Sequence, residues 1–374
     1  MEPIRILYVN GGIMNRGGIE SYMMSYYRNI DRKKLQVDFI VHGFERGAYD
    51  DEIESMGGKI FRVPVKSKNY LGNIRQLKKI FNSYNYKIVH SHMDAMSTVV
   101  LKVAKECGIP IRIAHSHNTQ HLTNNRIKYL LNEYARKNIT KYATHYFACS
   151  EPAGRWLFGD MYVDNKHVSY VKNAIPAEQY KFSDFLRRKI RTKLKIEEEL
   201  VVGHVGRFDY QKNHMYLLEV FSRLFEIQPK SKLVLVGDGH LNDKIKQRIE
   251  ELNIADNVML LGSRKDVNEL LNAFDVFVLP SLFEGLGIVL IEAQANGLKC
   301  IASNTTPREV NISGNVDFLA TNASEIDNWV KLILNNTIVD RKFNRDRFIL
   351  SGYEIKNEAK KLEELYIEYL GDLQ

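Results

Sequence analysis

Apolar runs of four to six residues, rich in Val and Ile, alternate along this chain with longer stretches whose apolar positions recur at helical spacing. In the first half the runs fall at residues 4–9, 37–42, 59–63, 87–92, 111–115 and 145–149, with helix candidates at 18–29, 71–84, 94–107 and 125–141. Runs without clean polar alternation read as strands of a parallel sheet covered on both faces. Their alternation with helices predicts a doubly wound α/β domain. The pattern breaks near residues 172–200, where a charged stretch from Lys181 to Glu199 follows Pro176. It restarts at 200–205, 232–236, 257–261, 276–280 and 299–302. Two Rossmann-like domains are therefore expected, over residues 1–175 and 196–350. The C-terminal segment 354–374 carries an amphipathic helix over 354–370, with Ile355, Ala359, Leu362, Leu365, Tyr366 and Tyr369 on one stripe. Ligands of such sheets bind beyond the carboxyl ends of the strands, so the chemistry is expected after strands, in a cleft between the two domains.

Composition agrees with this picture and narrows it. The 374 residues are 44% hydrophobic and 26% charged, with 23 Gly and 8 Pro, ordinary values for a globular chain. No apolar run approaches the ~20 residues a membrane span needs. The start, Met1 to Asn10, lacks the basic region and apolar core of a signal peptide and reads as a first strand. Cys107, Cys149 and Cys300 lie far apart and form no disulfide framework. A cytoplasmic location is expected. The net charge of +8 is unevenly spread: residues 1–175 hold 26 basic and 15 acidic side chains, net +11, and residues 176–374 hold 27 and 30, net −3. A basic half beside a slightly acidic one points to an anionic surface or ligand on the first domain. Lys66, Lys68, Arg75, Lys78 and Lys79, on or beside the 71–84 helix, make that face the candidate for anionic lipid. Nucleic acid is not expected, because no binding motif with interleaved aromatics is present.

Four constellations carry possible chemistry. After the first strand, the loop from Asn10 to Gly18 holds Gly11, Gly12, Gly17 and Gly18 and opens a helix, so its backbone can approach a phosphate or sugar closely. It is not a GxGxxG fingerprint and no ribose-binding acid follows, which disfavours a nicotinamide enzyme. His90, His92, His115 and His117, four of eleven histidines, close two strands. Each i, i+2 pair shares a strand face. They read as substrate contacts, as hydrogen-bonded core histidines or as zinc ligands, although no Cys or carboxylate joins them at a metal spacing. Gly206, Arg207 and Lys212 follow a buried strand and offer two cations to a diphosphate, unless they are a solvated pair. Glu284, on a loop with Gly285, Leu286 and Gly287, precedes Glu292 on a helix, with seven residues between the glutamates. The loop amides suit a pyrophosphate and the two carboxylates suit different ends of one polar ligand.

Together these residues resemble retaining glycosyltransferases of family 4, of the bacterial capsular or exopolysaccharide type, with the two-domain GT-B fold. The resemblance spans nearly the whole chain, through Val236 to Gly239 and the final helix, which in that fold crosses back to the first domain. It implies an N-terminal acceptor domain and a C-terminal donor domain. Arg207 and Lys212 would neutralise the donor diphosphate, Glu284 would bond the donor sugar's hydroxyls with help from the amides of residues 285–287, and Glu292 would hold the ribose. His117, rather than His115, would bond a donor hydroxyl, and Gly12, Gly18 and Gly206 would let backbone approach. Asn173 to Pro176 departs from the family's Asn-Gly-Ile-Asp signal, and Gly287 stands where Pro is common. The expected activity is transfer of a hexose or N-acetylhexosamine from a nucleotide sugar, UDP before GDP, to a saccharide or lipid-linked acceptor in polysaccharide biosynthesis. No cofactor or metal is expected, since no Asp-x-Asp is present. The alternatives are a sugar-nucleotide 2-epimerase of related architecture and a non-catalytic nucleotide-sugar-binding partner.

Overall fold

The alternating pattern folds as two α/β units, Met1–Ala174 together with Glu354–Gln374, and Ile175–Tyr353. The structure, a computed structural model, describes residues 2–121, 123, 125–335 and 341–373. The first unit holds β1 (Ile4–Val9), β2 (Leu35–His42), β3 (Ile60–Val63), β4 (Ile88–Ser91), β5 (Ile111–Ser116), β6 (His145–Ala148) and β7 (Val168–Tyr170). They form one sheet in the order β3-β2-β1-β4-β5-β6-β7, and every pairing is parallel. The second unit holds β8 (Leu200–Val205), β9 (Ser231–Val236), β10 (Val258–Leu260), β11 (Val276–Leu279), β12 (Lys299–Ser303) and β13 (Val316–Leu319). Its parallel order is β10-β9-β8-β11-β12-β13.

Both faces of each sheet are covered, which is why the strands are apolar throughout. Successive side chains of β1 alternate between layers: Leu7 and Val9 pack with Leu77 and Val100, while Ile6 and Tyr8 pack with Met23 and Tyr27. The one acid inside β2, Asp38, is fully buried. It accepts hydrogen bonds from Arg5 Nε at 2.7 Å, Tyr86 Oη at 2.6 Å and the Lys59 amide at 2.7 Å.

The sequence pattern omits β7 and β13. Both are short edge strands buried only at their first position and interrupted by Ser169 and Asp317, so neither shows a full apolar run. The domain boundaries also differ from the expected 196–350: residues 175–195 belong to the second unit. Ser183 caps the helix Asp184–Leu194, whose Ile190 joins that unit's core, and Arg187 and Arg191 of this helix both pair with Asp275. The charged stretch is thus an amphipathic helix, two of whose arginines turn onto the largely buried Asp275.

The C-terminal helix, Ile355–Gly371, belongs to the first unit and buries Ile355, Ala359, Leu362 and Tyr366 in the layer that holds Ile6 and Tyr8. Strand order reverses between β1 and β4 in the first unit and between β8 and β11 in the second. Loops at such switch points are where open α/β sheets bind ligands. Among the described residues no helix is long and apolar enough to cross a membrane.

Candidate active site

In the second unit, the loops after β8 and β11 come together. Gly206 turns the chain out of β8, its amide bonded to the Val236 carbonyl at 2.9 Å. A Cβ there would lie 3.0 Å from His204 Nε2 and 3.1 Å from Lys212 Cγ, so the absence of a side chain lets the Lys212 stem lie against the strand end. Lys212 Nζ meets Glu284 Oε1 at 2.6 Å, with the two side chains only 15% and 5% exposed. Gln211 Nε2 donates to the other Glu284 oxygen at 3.3 Å and to the Phe283 carbonyl at 3.0 Å. The lysine and glutamate read separately from the sequence therefore form one buried ion pair. Arg207 is different: its side chain is 73% exposed and bonds Asp209 through Nε at 2.7 Å, and its terminal nitrogens find no partner among the described residues.

Gly285, Leu286 and Gly287 lead into the helix Ile288–Ala295. Gly287 caps it at φ +81°, a left-handed conformation that glycine takes without strain. The amides of these three residues find no acceptor among the described residues. Glu292, one turn into that helix, accepts a hydrogen bond from Tyr180 Oη at 3.0 Å, and desolvation pushes its carboxyl up to about 7.

In the first unit, β4 and β5 place the four histidines in one hydrogen-bonded stack. His90 Nε2 faces His115 Nδ1 at 3.0 Å, and His92 Nδ1 faces His117 Nε2 at 3.0 Å. The chain of contacts continues through His90 Nδ1 to Tyr366 Oη at 2.6 Å and on to Tyr8 Oη at 2.9 Å. Burial and neighbouring imidazoles hold His90, His92 and His115 well below the ordinary histidine range, hence neutral, and burial brings His117 down to about 4. His90, His92 and His115 are at most 1% exposed, whereas His117 keeps partial access to solvent. Asp94, at φ +46°, holds the His117 and Asn118 amides through Oδ1 at 2.7 and 3.3 Å and the Asn118 side chain through Oδ2 at 2.7 Å. Gly12 and Gly18 have open space where a Cβ would stand, and Asn10 holds their loop through Nδ2 to Gly12 O and Glu20 Oε1.

Replacing Tyr366 with Phe strips the partner from His90 Nδ1 and from the Tyr8 hydroxyl. We expect it to cost about 1–2 kcal/mol of stability, read as a lowered denaturation midpoint with an unchanged slope.

Residues 16–179 match the model described as Glycosyltransferase Family 4, and residues 187–348 match that described as Glycosyl transferases group 1. The putative glycosyltransferase EpsF of Bacillus subtilis is 34% identical over 372 residues, covering 97% of this chain and 96% of that protein. The chain belongs to glycosyltransferase family 4. Another relative of this family 4 enzyme is an Escherichia coli protein named UDP-Gal:alpha-D-GlcNAc-diphosphoundecaprenol alpha-1,3-galactosyltransferase, 26% identical with 94% of each chain covered. Among solved structures, Anabaena HepE in complex with UDP and glucose superimposes with a TM-score of 0.76 at 19% identity, covering 97% of this chain and 99% of that one. The fold of the transferase is GT-B.

Three side chains at these sites carry no signal in the sequence. Tyr180 lies 112 residues from Glu292, Asp94 owes its place to a left-handed backbone turn, and Gln211 is an uncharged amide beside Lys212. In the transferase's histidine stack, His90, His92 and His115 bring one nitrogen each within 4.8 Å of one another. Tetrahedral zinc with bonds of about 2.0–2.1 Å needs nitrogens nearer 3.4 Å apart. His90 Nε2 and His115 Nδ1 already satisfy each other, so of the readings left open these three fit hydrogen-bonded core histidines best.

Proposed function

We propose that this enzyme transfers a hexose or N-acetylhexosamine from a UDP-sugar to a saccharide or lipid-linked acceptor in polysaccharide assembly, with retention at the anomeric carbon and without a metal. The observation that carries this reading is the Lys212–Glu284 pair beside the unpartnered amides of residues 285–287, at the switch point of the second sheet. Support for the substrate classes comes from the UDP and diphosphoundecaprenol in the name of the E. coli relative and from the UDP and glucose bound to HepE.

In this reading the C1–O bond to the leaving diphosphate breaks, and negative charge grows on that phosphate. Lys212 and the helix amides, held in place before the reaction, stabilise the charge with little reorganisation, and the exposed Arg207 adds a second cation. Glu284, held by Lys212 and Gln211, accepts hydrogen bonds from sugar hydroxyls, and Glu292 does so from the ribose. His117 contributes one hydrogen bond to a donor hydroxyl, and Gly12, Gly18 and Gly206 keep backbone within reach of the ligands. The acceptor hydroxyl attacks C1 from the leaving-group side and gives its proton to the departing phosphate oxygen, so no carboxylate need act as nucleophile.

Thermal denaturation with nucleotides tests the donor site. UDP is expected to raise Tm by several degrees, equally with Mg²⁺ or EDTA, and to do so far less in Arg207→Ala. A larger rise with GDP or ADP would reassign the base, and no rise with any nucleotide would remove the donor site from this loop.

We place the membrane-facing surface of the first unit on a different helix from the one the charge pattern favours. Of the five cations named there, Lys66 is turned inward and Lys78 is paired with Glu106 at 2.8 Å. The helix Arg126–Asn138 instead exposes Ile127, Leu130, Leu131 and Tyr134, between 61% and 72% open and spaced i, i+3, i+4, i+7, with Arg126, Lys128 and Lys137 beside them. An apolar stripe flanked by cations suits the interface of an anionic bilayer. Sedimentation with vesicles is expected to require anionic lipid and to drop at least fivefold in Leu130→Glu/Leu131→Glu. Equal sedimentation of that variant would remove the helix from the membrane.

A further inference from the structure

Lys66 follows β3 in the basic first unit, at the sheet's carboxyl edge, and makes no ion pair among the described residues. Its Nζ makes a single long contact, 3.4 Å to the Met96 carbonyl, and no acidic side chain among the described residues acts on it. Desolvation alone brings its ammonium down to about 8. The side chain keeps partial access to solvent, so a ligand can reach it.

Beside it, at the end of β2, His42 is 3% exposed. Its Nδ1 lies 2.7 Å from the Asn10 carbonyl. A carbonyl can only accept, so Nδ1 carries the proton. Burial and the Lys66 charge keep the ring neutral, leaving Nε2 as a bare lone pair. That atom is buried and has no partner among the described residues. The loop that bonds the His42 amide, through Gly12 O at 3.1 Å, has open space at Gly12. Met96 closes the turn Asp94–Met96, whose first residue holds His117. β3, β2, β1 and β4 are neighbours in that order, so these four strand ends line one continuous stretch of the sheet edge.

A desolvated ammonium without a counter-ion and a buried acceptor without a donor are each costly in a finished fold. One ligand group satisfies both: an anion for Lys66 carrying or adjoining a hydroxyl for His42. We propose that Lys66 and His42 form an acceptor subsite that binds the phosphate of a phosphate-linked saccharide, Lys66 taking the phosphate oxygens and His42 Nε2 accepting from a hydroxyl next to it. This rests on the transferase reading above and adds the residues of this chain that hold the acceptor's phosphate.

The probes are inorganic phosphate and pyrophosphate, titrated onto protein already saturated with UDP so that the donor loops are occupied. The wild type is expected to gain several degrees of Tm from millimolar pyrophosphate. Lys66→Met should lose most of that gain, and Lys66→Arg should keep at least half. Equal gains in wild type and Lys66→Met would overturn the site, and a larger response to glucuronate than to phosphate would overturn its phosphate class. Kinetics separate an acceptor phosphate from free phosphate. Lys66→Met should raise KM at least tenfold for a saccharide carrying an alkyl diphosphate and less than twofold for the same saccharide as a neutral alkyl glycoside. An equal rise for both would overturn the acceptor role. Lys66→Gln replaces Lys66→Met if the latter does not fold. The UDP response of wild type is read first, and its absence counts against the donor reading alone, because the comparison of wild type with Lys66→Met still reports on Lys66.

Discussion

Lys212→Met is expected to lower kcat/KM for the nucleotide-sugar donor by 10²- to 10³-fold, and Glu284→Gln by a similar factor. The two losses should not multiply in the double variant. In the free protein each side chain is the other's partner at 2.6 Å in a nearly closed setting. Removing the lysine leaves a 5%-exposed carboxylate whose remaining side-chain hydrogen bond among the described residues comes from Gln211. That carboxylate is no longer held in place by its cation, so the group proposed to bind sugar hydroxyls is lost together with the one proposed to bind phosphate. Losing one preorganised charge aimed at the transition state costs about 2.7–4 kcal/mol, which is the 10²- to 10³-fold loss. A double-mutant cycle on initial rates measures the coupling. Full additivity would mean that the two residues serve the donor independently, and a loss below tenfold in either single variant would remove the pair from the reacting centre.

Glu292→Gln is expected to make the nucleotide-free protein more stable at pH 8 and worse at holding UDP. Desolvation lifts the Glu292 carboxyl to about 7 from an ordinary 4.5. Below pH 4.5 the folded and unfolded chains both keep the proton and the group is neutral in its effect. Between 4.5 and 7 the unfolded chain releases the proton while the folded one retains it, so the stability this group contributes falls as pH rises and stays lowered above 7. A displacement of that size is worth up to about 3 kcal/mol. The glutamine removes this penalty but not the contact with Tyr180, so its denaturation midpoint should exceed that of wild type at pH 8 and match it at pH 4.5. The same substitution removes the carboxylate to which the proposed function assigns the ribose hydroxyls. The UDP-induced rise in Tm should therefore shrink several-fold, and in wild type it should grow between pH 6 and pH 8. A variant with unchanged stability at pH 8 would mean that the carboxyl is already solvated.

Much of the architecture is legible in the sequence because parallel strands covered on both faces leave uninterrupted apolar runs. β1 and β8 begin and end where those runs do. β7 and β13 escape notice because they are only three and four residues long and carry Ser169 and Asp317 among their apolar positions. The helix Asp184–Leu194 hides among charges because its cations are answered by Asp275, some 85 positions away. The same contrast holds at the site. Glycines and charged residues after strands announce themselves, and Arg207, Lys212, Glu284 and His117 all stand on such loops. Which charge meets which is a matter of tertiary geometry. The Lys212–Glu284 pair, the Tyr180 hydroxyl on Glu292 and the inward turn of Lys66 are set by residues far apart in the chain, and no periodicity encodes them.

The return of residues 354–374 to the first unit has a consequence for how the protein is made. Chains emerge from their N-terminus and domains generally fold as units in that order, yet here the unit that begins the chain is completed last. Until Ile355, Ala359, Leu362 and Tyr366 have been synthesised, the layer around Ile6 and Tyr8 lacks its cover and His90 lacks the hydroxyl that engages its Nδ1. The second unit, contiguous from Ile175 to Tyr353, has its whole sequence available before that cover exists. The second unit can thus form on the ribosome while the histidine stack stays unfinished, so a chain stopped short of the helix Ile355–Gly371 carries one finished sheet and one open to unwanted partners.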